Sequence, residues 1–117
     1  MKYVIIHTGY PKEADMVEAA IRLEHGDAHG RIFGLEGLYE GSVLKDVDGA
    51  DLVVILHPGE PEMFLAGWVE ASMEKHKKGN MIIVLSRKPW FSFPSRYTTV
   101  VTSARNAIVY IQGCGEA

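Results

Sequence analysis

The feature that most constrains the fold is a set of short, continuously apolar runs spaced along the chain. Three of them are rich in β-branched residues and are bounded by polar or turn-forming residues; they cover residues 3–7, 51–57 and 81–85. Runs of this length, without polar alternation, are typical of strands that are buried on both faces of a parallel sheet. Because parallel strands need long crossovers, usually helical, these runs predict an α/β fold.

The segments between these runs show helical spacing of apolar residues. Helices are predicted over residues 12–25, 38–47 and 104–112. A further helix follows a loop at 60–66 and ends near Gly79, and its apolar face comprises Phe64, Leu65, Trp68, Val69 and Met73. Weaker strand patterns cover 31–35 and 98–102, and a long loop precedes the last strand.

The resulting order of elements is β-α-β-α-β-α-β-loop-β-α. We therefore expect one domain over residues 1–117, a flavodoxin-like three-layer sandwich with a five-stranded, mainly parallel sheet and helices on both faces. In this topology ligands bind at the carboxyl ends of strands one and three. The loops at 7–11, 57–67 and 86–97 follow these strand ends and the end of the fourth strand, so they should carry any site.

Composition excludes several classes of protein. The apolar fraction is 47%, which predicts a folded chain, and the net charge of −3 gives no footprint for a nucleic acid polymer. No run is long enough to span a membrane and no signal peptide is recognisable, so we expect a cytoplasmic protein without a membrane partner. The histidines are scattered and the one cysteine is Cys114, so neither a metal site nor another cofactor is expected.

The loop after the third strand holds a titratable ring and two carboxylates, namely His57, Glu60 and Glu62. A histidine at this position suits acid–base chemistry or contact with an anion. The alternative, a loop residue that merely ends the strand, is about equally favoured by the pattern. The prolines of this loop are compatible with a preorganised site.

Two further loops offer weaker candidates for ligand binding. After the first strand, His7, Gly9 and Tyr10 precede a helix N-terminus, and Gly9 would allow the backbone to approach a ligand. After the fourth strand, Arg87 stands in an aromatic-rich loop and could meet a phosphate. A plain turn and an aromatic cap on the core are the competing interpretations.

The acidic residues before the third strand do not fit a phosphoacceptor domain. Such domains place acidic residues at the carboxyl ends of strands, whereas Asp46, Asp48 and Asp51 come before or at the start of one. This pattern argues against a response regulator.

The order of several short motifs resembles the nucleoside 2-deoxyribosyltransferase superfamily, including its small nucleotide N-hydrolases. The motifs are Thr8-Gly9-Tyr10, Gly49-Ala50-Asp51 with its apolar run, Ala66-Gly67-Trp68-Val69-Glu70, and Lys78-Gly79-Asn80. The resemblance implies an enzyme that cleaves or transfers at the N-glycosidic bond of a nucleoside or nucleoside 5′-monophosphate.

In that family a glutamate attacks the anomeric carbon, and Glu70 falls on this position. The resemblance implies that His57 assists, and that the substrate is bound by His7, Gly9, Tyr10, Glu60, Glu62, Gly67 and Arg87. It also implies a small-molecule nucleoside or nucleotide partner and a homo-oligomer. From spacing alone, Glu70 is an ordinary solvated charge on a helix.

Two alternatives remain open on the sequence. The aspartate that the family uses with the leaving base has no counterpart in residues 41–44, so the chain could be a nucleotide-binding or assembly module that has lost the chemistry. A third hypothesis is a TIR-like domain that cleaves NAD, because that class also uses a glutamate at an N-glycosidic bond.

Overall fold

The computed structural model describes residues 1–34, 41–85 and 96–114. Its strands are β1 (Lys2–His7), β2 (His29–Gly34), β3 (Leu52–Leu56), β4 (Asn80–Val84) and β5 (Thr98–Val101). Its helices are α1 (Pro11–Glu24), α2 (Gly41–Val47), α3 (Glu60–His76) and α4 (Ala104–Cys114). The predicted α/β class is confirmed.

The five strands of the described residues are all parallel, and their order in the sheet is β2-β1-β3-β4-β5. The first strand therefore lies inside the sheet, where Tyr3 pairs with Gly30 of β2 on one side and Leu52 of β3 on the other. The strand order reverses direction between β1 and β3, which is the flavodoxin-like arrangement. The carboxyl ends of these two strands accordingly flank the crevice where the topology favours a site.

The core lies in two layers, one on each face of the sheet. Successive side chains of the central strands alternate between them: Ile5 and Val54 pack with α1 and α4, whereas Ile6 and Ile55 pack with α2 and α3. Both sets are buried, because helices cover both faces. This explains why the strands appear in the sequence as continuous apolar runs.

The structure corrects the prediction for α3 at both ends. The segment 60–66, predicted as a loop, belongs to the helix, because extended Gly59 precedes it and Pro61 occupies its first turn. At the other end, the left-handed residue directly after the helix is Lys77, with φ of 55°. Gly79, predicted for this role, also has a positive φ, of 114°, but lies two residues further on.

The predicted apolar face of α3 was also partly wrong. Leu65, Val69 and Met73 are buried against the sheet, but Phe64 is 80% and Trp68 51% exposed. Phe64 and Trp68 lie one turn apart on the outward side of the helix. None of the described helices has both the length and the apolar character that crossing a bilayer requires.

Candidate functional site

The last residue of β1, at its carboxyl end, is the histidine His7. The His7 side chain is nearly buried, and its Nδ1 accepts a hydrogen bond from the backbone N–H of Tyr10 at 3.1 Å. This bond requires Nδ1 to be unprotonated. A Cβ placed on Gly34, the last residue of β2, would lie 3.3 Å from the His7 ring, so the ring fits closely against the neighbouring strand.

His57, the first residue after β3, has a left-handed backbone with φ of 47°. This conformation costs a residue that has a Cβ about 1–2 kcal/mol. The His57 backbone N–H donates to the carbonyl of Val84 at 2.7 Å, which continues the pairing with β4. The His57 ring reaches α1, where Nε2 lies 2.7 Å from a carboxylate oxygen of Glu13. Because an ionised carboxylate only accepts hydrogen bonds, Nε2 is the donor.

Tyr10 joins these two histidines. Its backbone N–H donates to His7, and its ring packs on the His57 ring with centroids 4.3 Å apart and planes tilted by 39°. We refer to His7, Tyr10, Glu13 and His57 as the carboxyl-edge cluster. Within the described residues, the buried Nδ1 of His57 has no hydrogen-bond partner. The cluster thus links the ends of two strands to the first turn of α1.

The sequence predicted three members of this cluster but missed Glu13 as a site residue. Glu13 was assigned only to the helix N-terminus, where a negative charge is favourable. One signal was available, because the third residue of a helix that follows a strand directly is placed near the carboxyl edge of the sheet. The partner of Glu13 is His57, which is 44 positions away in the chain, and this contact depends on the tertiary fold.

The other predicted binding residues of the loops do not extend the cluster in the described part of the chain. Gly9 adopts φ of 82° in the turn between β1 and α1, and a Cβ there would meet open space. Glu60 and Glu62 lie in the first turn of α3, and their side chains fall outside what the structure describes. Arg87 also lies outside the described residues.

Glu70 lies away from the carboxyl-edge cluster. It is in the second half of α3, and the hydroxyl of Thr98 donates to its carboxylate. Thr98 is the first residue of β5 and pairs in register with Met81, so this contact is near the amino edge of the sheet. Gly67 is exposed in the middle of α3, and a Cβ there would meet open space. The structure therefore does not bring Glu70 or Gly67 together with His57.

The amino edge of the sheet holds Asp48 and Asp51, each with partners of its own. One carboxylate oxygen of Asp51 accepts the backbone N–H of Lys2 at 2.8 Å, and the other accepts from the Lys78 ammonium at 3.2 Å. The Lys2 N–H, with a smaller contribution from Lys78, holds the pKa of the Asp51 carboxyl below its usual value, although partial burial opposes this. Asp51 thus has a structural role at the start of β3.

Within residues 1–34, 41–85 and 96–114, no group of three or more His, Cys, Asp and Glu side chains is arranged to hold a metal ion. The carboxyl-edge cluster offers two imidazoles, one phenol and one carboxylate. These groups can accept or donate protons and can contact an anion.

No protein-family model and no curated protein matches the sequence. Among solved structures, the chain is similar to the signal receiver domain of NarL from Mycobacterium tuberculosis, which is described as a response regulator. The match covers 98% of this chain and 96% of that one, with a TM-score of 0.54 and 11% sequence identity. At this identity the likeness shows a shared flavodoxin-like fold.

The predicted membership of the nucleoside 2-deoxyribosyltransferase superfamily was wrong, because the fold match is to a receiver domain and no family model supports it. The same match contradicts the predicted N-glycosidase or transferase activity with Glu70 as the nucleophile, and it contradicts the predicted nucleoside partner. The degenerate nucleotide-binding and TIR-like alternatives gain no support from the match. The motifs misled because short strand–turn–helix sequences recur wherever a parallel sheet is built.

Proposed function

We propose that this chain is a signalling module of the receiver type, which acts by binding a protein partner and without phosphorylation of an aspartate. One observation carries the proposal: the fold is that of a receiver domain, but histidines stand at the strand ends. His7 ends β1 and His57 follows β3. None of the five described strands ends on, or is directly followed by, an aspartate or glutamate.

The carboxyl-edge cluster is the proposed input site of this module. A competing hydrogen bond to Nδ1 of His7 would remove the bond that holds Tyr10 at the start of α1. A change at His57 would act on the same helix turn through Glu13. His7, Tyr10 and His57 then serve as parts of a switch, because they couple two strand ends to one helix.

A cytoplasmic location is part of the proposal, supported by the likeness to the receiver domain of a response regulator. The partner would accordingly be another protein of the cytoplasm. The covalent part of a receiver domain's signal, phosphoryl transfer to an aspartate, is replaced here by a change in hydrogen bonding.

A first experiment tests whether phosphorylation is absent. The full chain is incubated with acetyl phosphate and Mg²⁺ and its intact mass is measured, with a phosphorylatable receiver domain treated in parallel as the positive control. We expect the control to gain a phosphoryl group and this chain to remain unmodified. A stable phosphoryl adduct on an aspartate of this chain would contradict the proposal.

A second experiment tests for the partner. The tagged chain is crosslinked inside cells of its native source, and the crosslinked proteins are identified by mass spectrometry. We expect one dominant protein, with a yield that changes in Glu13→Gln, which keeps the side-chain shape and removes the charge. Glu24→Gln, at the exposed far end of the same helix, is the matched control. No crosslinked protein at all would overturn the proposal.

A further inference from the structure

The outward side of α3 carries an apolar stripe that the core does not use. Phe64 and Trp68 are exposed and lie one turn apart, and exposed Ala71 continues the line. Positions that are three or four residues apart lie on the same side of a helix. Single exposed apolar residues are ordinary on a protein surface, whereas a contiguous stripe marks an interaction site.

The stripe borders a groove between α2 and α3 with a volume of about 370 Å³. Its walls are Leu44 of α2 together with Trp68, Ala71 and Ser72 of α3, and most of the lining surface is apolar. The groove is open to solvent. An apolar groove between two helices commonly binds the apolar face of an amphipathic helix from a partner.

The charges around the groove favour an acidic occupant. Lys45 and Lys75 line it, and neither has a carboxylate within 4.0 Å among the residues that the structure describes. Asp48 also lines the groove, but its Oδ1 accepts from Ser72 at 3.0 Å and from His76 at 3.1 Å. Hydrogen bonds from His76 and Ser72, together with the nearby charge of Lys75, hold the pKa of the Asp48 carboxyl below its usual value. The groove lining therefore carries two ammonium groups against one carboxylate that its neighbours already engage, which leaves a positive balance for an acidic partner.

The groove lies on the side of α3 that faces α2. Ser72, one of its walls, donates to Asp48 between α2 and β3, whereas Glu70 contacts β5 through Thr98 on another side of the helix. A ligand in the groove would thus contact two helices of the same layer without disturbing the sheet.

We propose that this groove binds an acidic amphipathic helix of a partner protein. The helix places a large apolar side chain between Leu44 and Trp68 and carboxylates opposite Lys45 and Lys75. This inference rests on the proposed function and deepens it, because it names the chemistry of the protein partner.

The test uses the full chain and two synthetic helical peptides. One carries leucines on one face and glutamates on the other; the second has lysines in place of the glutamates. Binding is followed by calorimetry and by the backbone amide shifts in NMR spectra. We expect the acidic peptide to bind at least about tenfold more tightly than the basic one, with shifts concentrated on α2 and α3.

Matched variants locate the binding. Trp68→Ala should weaken binding of the acidic peptide by about tenfold or more, and Lys75→Glu should reverse the preference between the peptides. Leu23→Ala, at an 82% exposed position on α1, and Lys12→Glu, on the same helix, are the controls and should leave the affinity unchanged. All four positions are at the surface, so the variants should keep their fold.

Three results would overturn the inference: equal affinity for both peptides, full affinity in Trp68→Ala, or amide shifts outside α2 and α3. A dimer that Trp68→Ala dissociates would assign the groove to a second copy and would also contradict it. The crosslinking experiment in cells distinguishes the failure of this inference from the failure of the proposed function. If Trp68→Ala keeps the crosslinked partner in cells, the groove proposal fails while the signalling proposal stands.

Discussion

His57 illustrates how a single backbone angle shapes the carboxyl edge. Its left-handed conformation lies directly after β3, where an extended residue would have continued the strand. The imidazole instead lies against Tyr10 and Glu13. The strain of about 1–2 kcal/mol is opposed by the charge-assisted hydrogen bond to Glu13, which contributes about as much. From the sequence, the residue type could be predicted as important, but neither its angle nor its partner could.

Gly30 in β2 is a residue that the sheet requires to be small. A Cβ at this position would lie 1.9 Å from the backbone carbonyl oxygen of Tyr3, and no side-chain rotation can relieve a clash with the backbone. We expect Gly30→Ala to lower the free energy of unfolding by about 3 kcal/mol or more, because β1 and β2 would have to separate locally. Urea unfolding measures this change.

Gly26→Ala is the matched control for that substitution. A Cβ on Gly26 meets open space, and its φ lies outside the left-handed region. Its unfolding free energy should change by less than about 1 kcal/mol, in the stabilising direction if anything. Equal losses in the two variants would show that the contact between β1 and β2 at Tyr3 is not as tight as described.

At the scale of elements, α3 shows that an apolar pattern along a helix does not by itself identify which of its residues are buried. Leu65, Val69 and Met73 are spaced for burial, but Phe64 and Trp68 continue the apolar surface around the helix. Hydrophobicity alone does not distinguish a core face from an exposed apolar stripe, so the sequence pattern predicted a single apolar face for both. The early start of α3 was missed for a similar local reason: Pro61 breaks most helices but is favourable in a first turn.

Asp51 joins three elements at the amino edge, namely the start of β1, the start of β3 and the residues after α3. Because the folded state lowers its pKa, the ionised carboxylate stabilises the fold above the unfolded value of about 3.9, and this contribution is lost as the pH falls through the lower folded value. We expect Asp51→Asn to destabilise the protein by about 1 kcal/mol at neutral pH, since solvent screens a carboxylate that is partly exposed.

The pH dependence distinguishes this effect from a packing defect. The difference in unfolding free energy between Asp51→Asn and the parent should shrink as the pH falls below about 4, because the parent carboxylate then becomes protonated. Urea unfolding at a series of pH values measures it. Asp15→Asn, at an exposed position on α1, is the control. A difference that stays constant down to pH 2 would contradict an electrostatic role.

For the whole molecule, the sequence was sufficient for the sheet and insufficient for the function. Continuous apolar runs such as those of β3 and β4 arise because both faces are covered, and the parallel orientation follows because long crossovers join successive strands. The carboxyl-edge location of His7 and His57 follows from the same topology. Function could not be derived this way, because the fold accommodates many chemistries and Glu70 resembled a catalytic residue only by its local neighbours.

The position of each strand in the sheet predicts its stability against local opening. β1, β3 and β4 have neighbours on both sides, whereas β2 forms an edge of the described sheet with β1 alone. We expect backbone amides of β3 to exchange with deuterium at least about tenfold more slowly than those of β2, as measured by mass spectrometry of peptic fragments. Equal protection in β2 would indicate that its free edge is covered in solution.

The interior position of β1 also bears on how the chain folds as it is synthesised. Tyr3 pairs with Gly30, which leaves the ribosome early, and with Leu52, which leaves it much later. The unit of β1, α1 and β2 closes the shorter loop and is therefore the first that can form. Until β3 has been synthesised, the edge of β1 that pairs with it has unpaired backbone groups. The side chains of Val4 and Ile6, which are buried in the complete fold, are then exposed beside this edge. We expect the partly synthesised chain that lacks β3 to be the species most prone to aggregate, and therefore the one that a chaperone would bind.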